Sequence, residues 1–281
     1  MTPLVDTHQH LVYPDVAGYG WTAGIPALAD NAFPLEVYQE LAEGSVGATI
    51  FMETGVDDAD YQAEARFVAE RAKQPSSRIV GLIASCRPET DEGYEAWLDE
   101  CGDLNVVGFR RILHVMPDEL SQSESFRRNV REIGRRDLVF DMCFLASQLP
   151  IALELAKACD NTSLVLNHCG VPDIAGAGLD PWRAHISKLG ALPNVTCKLS
   201  GILAYCAPGE ASLDTIRPYV DHVLATFGAD RIVWGSDWPV VNLANGLPDW
   251  LTVTRKILDG LSEDEAARIA GENARRVYKV A

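Results

Sequence analysis

At 281 residues, 47% of them hydrophobic and 23% charged, the chain has a globular composition and the length for two ordinary domains or one large α/β barrel. A formal net charge of −16 opposes attraction to nucleic acid or to an anionic membrane, both of which select clustered positive charge. Seven cysteines (Cys86, Cys101, Cys143, Cys159, Cys169, Cys197 and Cys206) without a CxxC pair, no basic-then-apolar leader and no apolar run of bilayer length predict a reduced, cytoplasmic location.

The first apolar run ends in Val5-Asp6-Thr7-His8-Gln9-His10. Strand alternation places Asp6, His8 and His10 on one face, so two imidazoles aim at one place. An isolated His-x-His is a weak pattern, equally compatible with two structural histidines, and it gains meaning only if other polar groups arrive beside it. Residues 11–33 follow, with Pro14, Gly18, Gly20, Gly24 and Pro26 interrupting any period. Their aromatic residues Tyr13, Tyr19 and Trp21 either cover a ligand or pack on the rim.

Short β-rich runs then alternate with helical spacing. Strands are predicted at 4–8, 48–53, 79–85, 106–110, 138–143, 163–168, 195–200 and 231–235. Leu35, Tyr38 and Leu41, then Tyr61, Ala65, Val68 and Ala72, show the helical period between the first strands, and later segments repeat it. Ser262 reads as an N-cap before an acidic first turn, opening a last helical stretch toward Tyr278. Eight strand–helix units with no Gly-, Ser- or Pro-rich linker predict one domain over 1–281, a (β/α)8 TIM barrel.

In such a barrel the chemistry sits at the C-terminal strand ends. Those ends supply His8 and His10, then Glu53, Ser85, Arg110-Arg111, Asp141, His168, Lys198 with Ser200, and Asp237. His168 is expected to share an inward face with Leu164 and Leu166. Arg111, of opposite parity to Arg110, is expected to be structural. Cys169 is read as a small buried hydrophobe, since no thiol-enzyme pattern surrounds it. Three histidines and an aspartate suit one divalent metal with a position left open, and equally suit hydrogen bonding with a base and no metal.

Several motifs occur in an order that resembles the amidohydrolase superfamily. The resemblance is to its lactonase branch, which holds L-fuconolactonase, L-rhamnonolactonase and pyrone-dicarboxylate lactonase. It rests on the opening Val5 to His10 run, Val107-Gly108-Phe109-Arg110, Asn167-His168-Cys169-Gly170, Lys198-Leu199-Ser200-Gly201 and Phe227-Gly228-Ala229-Asp230-Arg231. Trp234-Gly235-Ser236-Asp237-Trp238-Pro239 is its most specific part, and Asn273-Ala274 with Tyr278 closes the chain in the same manner.

The resemblance implies a hydrolase that opens a lactone ring, with Asp237 as general base. His8, His10 and His168 would polarise the carbonyl, directly or through one metal, zinc by ligand type, held with Asp237. Binuclear members place a carboxylated lysine at the fourth strand end, where this chain has Arg110, so the metal count is expected to be one or none. Arg110, Lys198, Glu53, Trp21 and Trp238 are the expected substrate contacts. Beyond Arg110 and Lys198 the strand ends offer only Arg87 nearby, which favours a neutral sugar (aldono-) lactone over a dicarboxylate. A metal-dependent decarboxylase of the same superfamily and a non-catalytic sugar-acid binder are the alternatives. A homo-oligomer is compatible with the sequence.

Overall fold

The structure, a computed structural model, describes residues 2–29 and 31–281. Eight parallel strands form one sheet in sequential order: β1 (Leu4–Gln9), β2 (Val46–Met52), β3 (Ile79–Ser85), β4 (Val106–Ile112), β5 (Val139–Cys143), β6 (Ser163–Leu166), β7 (Val195–Leu199) and β8 (Ile232–Trp234). The sheet curls so that the end of β1 meets the segment after β8. There Asp237 N donates to His8 O at 2.9 Å and His10 N to Trp238 O at 2.9 Å. This is a (β/α)8 barrel, and the predicted strand positions agree to within a few residues at each end.

Between the strands lie α1 (Leu35–Leu41), α2 (Tyr61–Ala72), α3 (Tyr94–Gly102), α4 (Glu124–Arg135), α5 (Leu149–Ala158), α6 (Trp182–Gly190) and α7 (Leu213–Phe227), with α8 (Leu247–Leu258) after β8. Serines cap several of them. Ser123 Oγ accepts from Phe126 N at the start of α4, and Ser262 Oγ accepts from Glu265 N at the start of α9 (Glu263–Ala267). The predicted last helical stretch runs on to Tyr278: α9 passes through one π-helical turn, Arg268–Glu272, directly into α10 (Asn273–Tyr278).

Two apolar layers result. The larger fills the space between sheet and helices and includes Leu4, Phe51, Phe109, Phe140, Leu164, Leu166 and Trp234. A smaller one, with Val5, Ile50, Ile83, Val139, Val165 and Val233, fills the barrel interior, and α10 contributes Ala274, Val277 and Tyr278 to it. Tyr278 OH donates to Asp141 Oδ2 at 3.1 Å, so the C-terminal helix closes the barrel beneath the strand ends.

Residues after β1 form a pinned wall. Gly18 N donates to Asp60 Oδ2 (2.8 Å), Asp57 N to Gly18 O (2.8 Å) and Gly20 N to Asp57 Oδ1 (3.1 Å). Tyr13 packs on Phe67 of α2 with Arg71 over its ring, and its hydroxyl accepts from Leu35 N. Tyr13 is therefore part of the rim packing, while Trp21 faces the cavity described next. No helix among the described residues is long and apolar enough to cross a membrane.

Candidate active site

Strict alternation along β1 does not hold. A register shift between Asp6 and Gln9 interrupts the pairing with β2, and a bulge of this kind re-aims side chains. Asp6 turns toward α1, where Tyr38 OH donates to its Oδ2 at 2.6 Å, while His8 and His10 turn to the barrel mouth. The expectation that all three share a face is corrected accordingly. The other oxygen, Asp6 Oδ1, accepts from His8 N (2.9 Å) and Ser236 N (2.8 Å), stapling β1 to the segment after β8.

His168 also arrives by a different route from the one strand parity predicts. Leu164 and Leu166 face the helices, β6 ends at Leu166, and the chain enters a turn with His168 at φ 53° and Cys169 at φ 53°. This left-handed turn, not the strand, swings the imidazole inward. Asp237 is likewise left-handed, at φ 58°. Its carboxylate lies against Gly201 (φ +62°), where a Cβ would fall 2.1 Å from Asp237 Oδ2, so only glycine fits there.

The three imidazoles surround that carboxylate. His8 Nε2 and His10 Nε2 stand 3.6 and 3.4 Å from Asp237 Oδ1, and His168 Nδ1 stands 3.6 Å from Oδ2. Ser200 Oγ is 2.9 Å from His168 Nδ1. Arg110 Nη1 lies 3.3 Å from His8 Nε2, and because a guanidinium only donates, that nitrogen accepts. Arg110 is itself held by Glu53, donating from Nε to Oε1 (2.5 Å) and from Nη2 to the Glu53 carbonyl (2.5 Å).

Electrostatics sets the protonation. Burial would raise the Asp237 carboxyl, but His168, His10 and Arg110 outweigh it and hold it below its ordinary value. Burial pushes His8 well down, with neighbouring cationic groups adding to the effect, and brings His168 down to about 4. For Glu53, burial is likewise outweighed by Arg110, which keeps it ionised. At neutral pH the site is a carboxylate beside neutral His8 and His168 and an Arg110–Glu53 ion pair.

These groups fit a divalent cation. Ligand atoms of His8, His168 and Asp237 lie within 4.8 Å of one another, and Asp237 Oδ2 is buried without a hydrogen-bond partner. His10 stands outside that three-residue group but touches the carboxylate. Its Nδ1 carries a proton, since it lies 3.0 Å from the Met52 carbonyl, and its Nε2 faces Asp237 Oδ1 at 3.4 Å. An imidazole nitrogen faces a carboxylate oxygen stably with a proton or a metal ion between them. Arg110 Nη1, 3.3 Å from His8 Nε2, would yield that lone pair to a bound metal.

The cavity above these groups has a volume of about 570 Å³. His10, His168, Asp237, Glu53, Arg110, Ser85 and Trp21 line it. Lys198 and Trp238 do not, which corrects their expected contact with substrate. Lys198 is wholly buried one layer lower, where its Nζ donates to Asp141 Oδ1 (2.6 Å) and to the Thr7 carbonyl (2.8 Å). Trp238 is wholly buried against Phe33 and Tyr38. Cys169 Sγ, also buried, donates to the Lys198 carbonyl at 3.6 Å. Arg111 reaches the cavity wall, though it is paired with Glu89 at 2.6 Å.

Tyr205, His114 and Cys143 line the cavity without having been singled out as site residues from the sequence. His114 Nδ1 is 3.1 Å from Cys143 Sγ, and the Tyr205 ring centroid is 6.3 Å from that of His168. His114 and Tyr205 lie shortly beyond the ends of β4 and β7, and that proximity was the available signal.

The chain is similar to several known proteins in sequence and in fold. L-Fucono-1,5-lactonase of Burkholderia ambifaria is 28% identical over 286 residues, spanning 100% of this chain and 97% of that protein. The 2-pyrone-4,6-dicarboxylate hydrolase of Comamonas testosteroni is 25% identical over 75% of this chain and 67% of its own. The crystal structure of an amidohydrolase from Burkholderia multivorans with bound zinc superposes with a TM-score of 0.87 at 27% identity, covering 100% of both chains. A 2,6-dihydroxybenzoate decarboxylase shares the fold at a TM-score of 0.70, 15% identity, and coverage of 99% of this chain and 100% of its own. Residues 5–280 match the amidohydrolase family, and the chain belongs to it.

Proposed function

We propose that this protein is a lactonase, a hydrolase of cyclic carboxylic esters, acting on a small neutral lactone with Asp237 as the general base. Sugar lactones are the class to which the fuconolactonase relatives point. The observation that carries the reading is the buried Asp237 carboxylate, ringed by three imidazoles at the floor of a cavity and with one oxygen unpartnered.

Neutrality of the substrate follows from the arginines. Each arginine on the cavity wall already faces a carboxylate: Arg110 pairs with Glu53 at 2.5 Å, Arg87 with Asp58 at 2.8 Å and Arg111 with Glu89 at 2.6 Å. A dicarboxylate would have to break one of these pairs to be matched.

In the reaction, Asp237 accepts a proton from water as the water oxygen bonds to the lactone carbonyl carbon. The tetrahedral oxyanion is stabilised by Arg110 as the fixed positive charge, with His168 beside it. The ring C–O bond then breaks, and Asp237 returns its proton to the departing alkoxide, giving an open hydroxy acid. Ser200 and the Met52 carbonyl hold the rings of His168 and His10. Zinc held by His8, His168 and Asp237, with His10 adjacent, would add Lewis-acid polarisation of the carbonyl. Trp21 and Glu53 contribute wall contacts to the ring substituents.

A pH-indicator screen of neutral lactones, run with added zinc and again with chelator, tests the reading. Turnover is expected, and Asp237→Asn should lower kcat by about a hundredfold or more while the protein still folds. Carbon dioxide release from a carboxylated substrate without turnover of any lactone would replace this reading with a decarboxylase.

A further inference from the structure

Three of the six large apolar side chains exposed among the described residues stand on the rim of this one cavity: Val115 (72% exposed), Trp21 (38%) and Leu145 (38%). They come from three different connections, after β4, β1 and β5, so the apolar rim is assembled by the tertiary fold and is not an accident of one loop. Ile25, Val56 and Ile112 line the same cavity. Exposed apolar side chains gathered at the mouth of one cavity point to a ligand contact.

The charged groups on that wall point the same way. Arg87 and Arg111 are consumed by Asp58 and Glu89, which leaves them poor partners for a charged or richly hydroxylated arm. A hydroxyl placed against Val56 or Ile112 would give up water without gaining a partner, whereas an alkyl or aryl group would gain from burial.

We infer that the lactone carries an apolar substituent, an alkyl chain of several carbons or an aryl ring, projecting from the ring toward Trp21, Val115 and Leu145. This rests on the lactonase reading: the ring sits on the Asp237 floor and the arm fills the apolar upper cavity. The specificity is set by the wall, separately from the chemistry below it.

The test compares kcat/KM for γ-butyrolactone, γ-nonalactone and D-galactono-γ-lactone, each divided by its hydroxide-catalysed rate, on the wild type and on Val115→Asp. Each buried methylene is worth roughly fourfold, so γ-nonalactone is expected to exceed γ-butyrolactone by about tenfold or more. Val115→Asp should reduce that ratio several-fold. Faster turnover of D-galactono-γ-lactone than of γ-nonalactone overturns the apolar arm and leaves the lactonase reading intact. Failure of all three lactones overturns the reading itself. Sedimentation of both proteins supplies the last control: a wild-type dimer that Val115→Asp converts to monomer would assign the rim to a second copy of the chain and overturn the inference.

Discussion

Asp237 owes its position to residues that never touch substrate. Its left-handed backbone is tolerated by aspartate and asparagine better than by most residues, and its carboxylate occupies the space that a side chain at position 201 would need. Gly201→Ala is therefore expected to displace the carboxylate and cut kcat by about a hundredfold or more. The accompanying loss of stability should be near 1–2 kcal/mol, roughly the cost of a left-handed alanine. Steady-state kinetics beside a thermal melt separates the two effects. Unchanged kcat would mean that Asp237 tolerates relocation and is not the base.

At the scale of elements, the site is made by three departures from regular structure: the bulge in β1, the left-handed turn after β6 and the turn after β8. A polar layer inside the barrel supports them. Asp141 Oδ1 accepts from Lys198 Nζ and from Asn167 Nδ2 (2.6 Å each), and Lys198 also ties down the Thr7 carbonyl next to His8. Burial lowers the Lys198 ammonium from its ordinary value, although Asp141 opposes the shift. Lys198→Met removes the charged partner of a wholly buried carboxylate, and breaking such a pair costs roughly 3–5 kcal/mol. Urea unfolding checks this, with the double variant Lys198→Met/Asp141→Leu expected to recover part of the loss. A single variant within about 1 kcal/mol of wild type would show that the pair is not a support.

For the whole molecule, one contribution to the pH dependence of stability is traceable to a buried group outside the catalytic floor. Glu64 on α2 is 3% exposed, and its Oε1 accepts from Thr54 N at 3.0 Å. Burial, reinforced by the charge of Glu53, raises its carboxyl to about 8 from an ordinary 4.5. The folded state thus binds this proton more tightly than the unfolded chain. Its contribution is most favourable below pH 4.5 and is lost as pH rises through about 8. Glu64→Gln should consequently gain in melting temperature relative to wild type between about pH 5 and pH 9. Parallel melting curves across that range would show that Glu64 is ionised in the fold.

The sequence by itself determined the eightfold strand–helix alternation and the residues at the strand ends, because apolar period and capping are local properties of the chain. It also carried the residue motifs that resemble the amidohydrolase superfamily, with Trp234 to Pro239 the most specific of them. The tertiary structure decided where those residues point. Asp6 turns outward and His168 inward because of a bulge and a turn, neither visible as a break in hydrophobic pattern. Lys198 proves to be a buried strut because its partner Asp141 lies 57 positions away and meets it only once the barrel closes. The arginines are neutralised by Asp58, Glu89 and Glu53 from other segments, so the character of the cavity depends on long-range pairings that no local window contains.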